Sequence, residues 1–406
     1  MRILFIFDRP PINEQPGANG TAKRMETFID AFKQIAQLDL LFYMQPNAEF
    51  STEKCAQWEK TLSQRWNTSV NLSLCSGFYL PRWRQRLDGI FSFTRQTYFI
   101  NPSGTLQQQA FEYCLKRKPN IIFAQRLQCM IPVLRSPNQL PPVFFDLDDI
   151  EHLKLVRQLQ QPPSRLVTKL YYLQVPALLW GERQAIQAAS STFVCSEHDR
   201  RYLSEQWNLT NIKVIPNSIT IPEIQPLTAE PNLLLLGTYT SLPNIQAANF
   251  LIEQVFPKIQ QVIPTAKLII AGNSPQRLRS YNKNIDGVEF TGFMENLDAL
   301  YQEARIVCCP VFVGGGTRVK MIEAAAYGKP IVASRIGAEG LELTPDKDYL
   351  LRNTAAEFAD ACVELLKNDS LCDFLSCNAR AAAIKHYDRN SIVKLIQQSI
   401  MSTIET

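Results

Sequence analysis

Short apolar runs alternate with longer amphipathic stretches along most of this chain, the βα rhythm of parallel-sheet proteins. The run Ile3-Leu4-Phe5-Ile6-Phe7 is too short for a leader and is closed by Asp8-Arg9-Pro10, which predicts a first buried strand. A loop dense in turn formers then leads into a predicted helix from about Thr21 to Gln37. Between Ala48 and Pro102 the pattern is poor. Strands are predicted again at Asn120–Ala124 and at Pro142–Phe145, the latter ending in Asp146, Asp148 and Asp149. A helical region from Gln161 to Ala189 and a strand at Thr192–Ser196 follow, with a helix beginning near Glu197. Further on, strands fall at Asn232–Leu236, Lys267–Ala271 and Val288–Phe290, with a helix from Pro243 to Val262 between the first two. Beyond Asp346 the pattern is helical, with one turn near Asp388.

A chain of 406 residues exceeds one ordinary core, so two domains are expected. Pro216, Pro222, Pro226 and Pro231 crowd together and place a linker at 216–231, between domains at 1–215 and 232–385 and ahead of a last helical segment at 386–406. The net charge of +4 is uneven: residues 1–210 hold 24 Lys/Arg and 18 Asp/Glu (24 − 18 = +6), and the rest hold 18 and 20 (−2). So small a net charge, with no recognised nucleic-acid module, argues against nucleic acid as a partner. Ten cysteines without a CxxC pair, and only three histidines, argue against structural zinc and for reduced cysteines in a cytoplasmic protein. No run reaches the ~18 apolar residues of a membrane span. The basic stretch Arg82-Trp83-Arg84-Gln85-Arg86 suits peripheral contact with an anionic membrane or a phosphate-bearing acceptor; a solvated basic helix is the alternative.

The richest chemistry lies in the stretch from Pro310 to Ser334, which reads as strand end, glycine loop, helix, tight turn and strand. Gly314, Gly315 and Gly316 let backbone approach a ligand, and Thr317 is placed as a helix N-cap whose unpaired N–H groups favour an anion. Arg318 and Lys320 stand in the first turn, where the helix dipole disfavours cations, so helix stability does not account for them. Glu323 interrupts an apolar helix face and needs a partner there. A pairing of Glu323 with Lys320 or Arg318 and an ordinary glycine loop form one reading. A cradle for a nucleotide diphosphate, with Glu323 accepting from ribose hydroxyls, is the other.

The segment Gly314-Gly315-Gly316-Thr317-Arg318-Val319-Lys320-Met321-Ile322-Glu323-Ala324 resembles the signature of glycosyltransferase family 4, in a glycine-triplet subset. That resemblance implies the α/β GT-B fold: two Rossmann-like domains facing across a cleft, with the last helix crossing back to the N-terminal domain. It implies transfer of a sugar from a nucleotide-diphosphate-sugar donor to a glycan, polysaccharide or lipid-linked hydroxyl acceptor, with retention of configuration. Arg318 and Lys320 would stabilise the departing diphosphate, no metal or other cofactor would be required, and Glu323 would hold the ribose. The chain departs from the family twice. Gly315 stands where many members carry a glutamate for the donor sugar, and Thr238 follows Gly237 where many have arginine, with no lysine after it.

The same resemblance gives weight to other positions. Gly17 and Gly20 lie in the loop after the first strand, which the family sets against donor and acceptor, and Gly337 and Ala338 lie in a loop covering the donor. Asp148 and Asp149, with His152 just after, partly match an acceptor-facing motif. Three such close carboxylates raise one another's pKa. The expected location is the cytoplasm, with contact at the inner face of a membrane left open. A nucleotide-sugar epimerase of the same fold and a non-catalytic nucleotide-sugar-binding subunit are the alternatives.

Overall fold

The computed structural model describes residues 1–8, 11, 20–44, 51–76, 104–160, 170–224, 226–294 and 296–404. Contacts divide the chain into two units, residues 1–216 with 391–406 and residues 217–390. From Asn217 on, the proline-rich segment expected as a linker is grouped with the second unit, where Ile219 pairs with Asp388 and its N–H donates to the Tyr387 carbonyl.

In the first unit the elements run β1 (Arg2–Phe7), α1 (Gly20–Phe32), β2 (Gln37–Met44), α2 (Thr52–Trp66), β3 (Val70–Ser76), α3 (Thr105–Leu115), β4 (Ile121–Gln125), the short α4 (Ile131–Leu134), β5 (Val143–Asp146), α5 (Glu151–Leu159), α6 (Val175–Ala188), β6 (Ser191–Val194), α7 (Glu197–Trp207) and β7 (Ile212–Val214). The strands form one parallel sheet in the order β3-β2-β1-β4-β5-β6-β7. Helices cover both faces, so the strands are buried on both sides and read as continuous apolar runs. One face is aromatic: Phe28 of α1 lies 4.6 Å from Phe123 of β4, which in turn lies 5.0 Å from Phe5 of β1. Helix α1 ends at Phe32, not Gln37, because Gln37 already starts β2. The expected helix from Gln161 is described from residue 170, as a 3-10 turn (Leu170–Gln174) leading into α6.

The second unit runs β8 (Asn232–Leu236), α8 (Leu242–Phe250), α9 (Phe256–Val262), β9 (Lys267–Ala271), β10 (Val288–Gly292), α10 (Leu297–Glu303), β11 (Ile306–Cys309), α11 (Val319–Ala326), β12 (Ile331–Ala333), β13 (Leu350–Leu351), α12 (Ala355–Lys367) and α13 (Asp369–Tyr387). Its parallel sheet has the order β10-β9-β8-β11-β12-β13. A π-helical turn, Leu251–Val255, joins α8 to α9 within the expected helix. Pro257 lacks the N–H that would continue the ladder there. Strand β13 was not anticipated: two leucines paired with Val332 and Ala333 are too short to carry a period. The last helix, α14 (Arg389–Ile404), buries Ile392, Val393, Ile396 and Ile400 in the core of the first unit.

Candidate active site

Where the strand order of an open parallel sheet reverses, ligands bind beyond the strand carboxyl ends. In the second unit the reversal lies between β8 and β11. The loop after β11 carries the glycine triplet, and its geometry depends on Gly314, whose φ is 133°. A Cβ at Gly314 would stand 2.6 Å from Arg318 Nη2, so the guanidinium folds directly over this glycine. Arg318 Nη1 donates to the Gly315 carbonyl at 2.9 Å. Its Nε and Nη2 are buried and find no hydrogen-bond partner among the described residues. Buried cationic donors left in this state are costly unless a ligand completes them.

Lys320, two residues on, spans the reversal point. Its Nζ donates to the carbonyl of Leu236, the last residue of β8, at 2.7 Å and to Asn244 Oδ1 at 3.0 Å. Burial pulls its pKa below the ordinary lysine value, the neighbouring Arg318 cation adds to this, and Cys309 and Glu323 partly offset it. Glu323 is 5% exposed on α11 and acts electrostatically on Lys320, Tyr301 and Tyr327. It occupies the apolar face that its sequence position indicated.

Thr317 is not the N-cap. Helix α11 begins at Val319, Arg318 takes the cap position in extended conformation without a side-chain cap, and Thr317 Oγ1 instead accepts from Asn217 Nδ2 at 2.8 Å. Gly337 packs against β11, where a Cβ would meet the Cys309 carbonyl at 2.4 Å; its N–H donates to Ser334 Oγ, and the N–H of the buried Ala338 donates to the Ser334 carbonyl. Gly237 follows Leu236 and lies against Asn244. Gly315 offers only backbone where a carboxylate was considered.

In the first unit the reversal lies between β1 and β4. Asp8 follows β1 and Arg126 follows β4, and Arg126 Nη1 meets Asp8 Oδ2 at 3.1 Å and its Nη2 meets Glu151 Oε1 at 3.4 Å. Arg126 adopts φ 75° and ψ 152°, a backbone region that strains any residue but glycine. Arg24 of α1 holds Asp146 through both Nε and Nη2 and donates from Nη1 to the Ile215 carbonyl at 2.8 Å. Burial alone would lower the pKa of Arg24, but Asp146 keeps it above the ordinary value.

Asp148, with φ 60°, accepts from Thr21 Oγ1 at 3.1 Å. Burial, then repulsion from Asp149 and Asp146, pushes its pKa up to about 6, against the pull of Arg24 and Arg126. Asp149 is paired with Lys154 at 2.6 Å. His152 turns inward: Nδ1 pairs with Glu182, Nε2 lies 2.8 Å from Tyr202 Oη, and the ring pins α5 to α6 and α7. The carboxylates Asp148 and Asp149 thus lie just beyond the end of β5, while His152 serves helix packing. Gly20 is the first residue of α1. Gly17, Arg82, Trp83, Arg84 and Arg86 lie outside the described residues.

Four polar residues went unmarked in the sequence. Arg24 was detectable as a charge on the apolar stripe shared with Phe28 and Phe32. Gln125, Arg126 and Asn244 carry no local signal, because Asp146, Asp8 and Lys320, which they meet, lie 21, 118 and 76 positions away in sequence.

Residues 230–368 match the family described as Glycosyl transferases group 1. A phosphatidyl-myo-inositol mannosyltransferase of Mycobacterium leprae is 26% identical over 227 residues, 50% of this chain and 58% of that protein. The chain spans about half the length of the curated relatives it matches. Among solved structures, sucrose-phosphate synthase from Thermosynechococcus elongatus aligns with a TM-score of 0.70 at 17% identity, over 99% of this chain and 98% of that one. Anabaena HepE, solved in complex with UDP and glucose, aligns with a TM-score of 0.66 at 15% identity, over 99% and 100%. No helix among the described residues is long and apolar enough to cross a membrane. Two doubly wound parallel sheets and these neighbours give the chain the two-domain GT-B fold, and residues 230–368 form a glycosyl transferases group 1 domain within it.

Proposed function

We propose that this protein transfers a sugar from a nucleotide-diphosphate donor to a hydroxyl acceptor with retention, and that it belongs to the glycine-triplet subset of family 4. The observation that carries this reading is Arg318, whose buried Nε and Nη2 have no partner among the described residues beside a glycine loop at the sheet reversal. Diphosphate oxygens would complete both donors. As the glycosidic bond breaks, negative charge grows on the leaving diphosphate, and a preorganised guanidinium and ammonium stabilise that charge more than the ground state. Those two cations do the work that a divalent metal does elsewhere, so the reaction is proposed to be metal-independent. Glu323 accepts from the ribose hydroxyls. The mannosyltransferase relative and the UDP bound by the Anabaena protein are in keeping with such a donor.

In the first unit, Asp148 is proposed to accept a hydrogen bond from the acceptor hydroxyl. Asp149 is already occupied by Lys154. The acceptor is proposed to be a glycan or lipid-linked hydroxyl at the cytoplasmic face of a membrane, with Arg82, Trp83, Arg84 and Arg86 as the contact to its surface. The test is a thermal-shift panel of UDP- and GDP-sugars on the full chain, with Glu323→Ala alongside. At least one donor should raise the melting temperature, and the variant should lose that shift. A panel with no shift in the unmodified protein would sink the proposal.

A further inference from the structure

Asn244, near the start of α8, has a role in this site that its sequence position does not announce. Its side chain touches two groups of fixed polarity: the Lys320 ammonium, which can only donate, at 3.0 Å, and the Thr238 carbonyl, which can only accept, at 3.1 Å. The amide orientation is therefore unique, Oδ1 toward Lys320 and Nδ2 toward Thr238. The amide thus ties the lysine to the loop after β8, where this chain has Gly237 and Thr238 and no basic residue up to Asn244. With the Leu236 carbonyl it takes up two of the three ammonium donors.

We propose that Asn244 is a positioning residue that holds Lys320 charged at the end of β8, leaving the remaining ammonium N–H for the donor diphosphate. This rests on the glycosyl-transfer reading above. Without Asn244 the ammonium keeps one neutral acceptor in a buried setting, and the groups acting on it are Arg318, which disfavours its charge, and Glu323 and Cys309, which favour it. Loss of a hydrogen bond to a charged group corresponds to a roughly tenfold weaker site.

The assay is calorimetric binding of UDP and GDP to the full chain from pH 7 to 10, for the unmodified protein, Asn244→Ala, Asn244→Asp and Lys320→Arg, with melting curves to confirm folding. Donor affinity requires the charged lysine, so it is present below the Lys320 pKa of the free protein and falls as pH rises through it. Asn244→Ala should weaken binding about tenfold at pH 7.5 and move the alkaline fall to lower pH. Asn244→Asp, which supplies an anionic acceptor, should move it to higher pH. Lys320→Arg should abolish it, and any fall that persists there belongs to the nucleotide itself. Should Asn244→Ala weaken binding evenly at every pH, or both Asn244 variants shift the fall the same way, Asn244 is only structural and the proposal is overturned. Absence of nucleotide binding by the unmodified protein at every pH overturns the donor reading together with it.

Discussion

Replacing Arg318 by methionine should stabilise the unliganded protein while removing donor binding. In the free protein Arg318 keeps two buried donor nitrogens without partners among the described residues and makes one hydrogen bond, to the Gly315 carbonyl. Each unsatisfied buried donor costs about 1–3 kcal/mol, and the bond it does make contributes about 1 kcal/mol. Methionine keeps an unbranched apolar stem over Gly314 and brings no buried donor, so the net gain is about 1–5 kcal/mol. For a unit of this size that corresponds to a rise of roughly 2–20 °C in its transition, read by scanning calorimetry without ligand. The two charge-assisted bonds lost to the diphosphate are together worth about 3–6 kcal/mol, a fall of roughly 10²–10⁴ in nucleotide affinity by titration calorimetry. A variant that melts lower than the parent and still binds nucleotide would refute the view of Arg318 as a ligand group held at structural cost.

Two further outcomes concern pH. Asp148 is raised in the folded state to about 6, so its ionised form costs stability above that pH and nothing below about pH 4. Asp148→Asn should therefore gain up to about 3 kcal/mol at pH 8, a gain that closes by pH 4 in urea titrations, while transfer activity falls. Lys329 is fully buried without a partner among the described residues, and burial pulls its pKa to about 8. Since its folded pKa lies below the unfolded one, stability rises with pH between about 8 and 10.5. Lys329→Met should be more stable than the parent by up to about 3 kcal/mol at pH 7, with the difference vanishing near pH 10.5.

The alternation of apolar runs with helical patterns already contained both βα halves, because strand and helix periods are local properties read over a few residues. Gly314 to Glu323 was legible for the same reason: loop, helix and cations lie within ten consecutive positions. Thr317 was misassigned because a threonine before a helical run satisfies the cap pattern locally, whereas its hydroxyl is claimed by Asn217, a hundred residues away. His152 looked like part of an acceptor motif, yet Glu182 and Tyr202 draw it into the packing of three helices.

The residues that give each sheet edge its chemistry were settled by tertiary structure. Arg24 meets Asp146 across 122 positions, Arg126 meets Asp8 across 118, and Lys320 meets Asn244 across 76. Those pairings follow from the order of strands in each sheet, which places the ends of β1, β4 and β5, and of β8 and β11, side by side. Strand order is a choice among long-range contacts, and no local period encodes it.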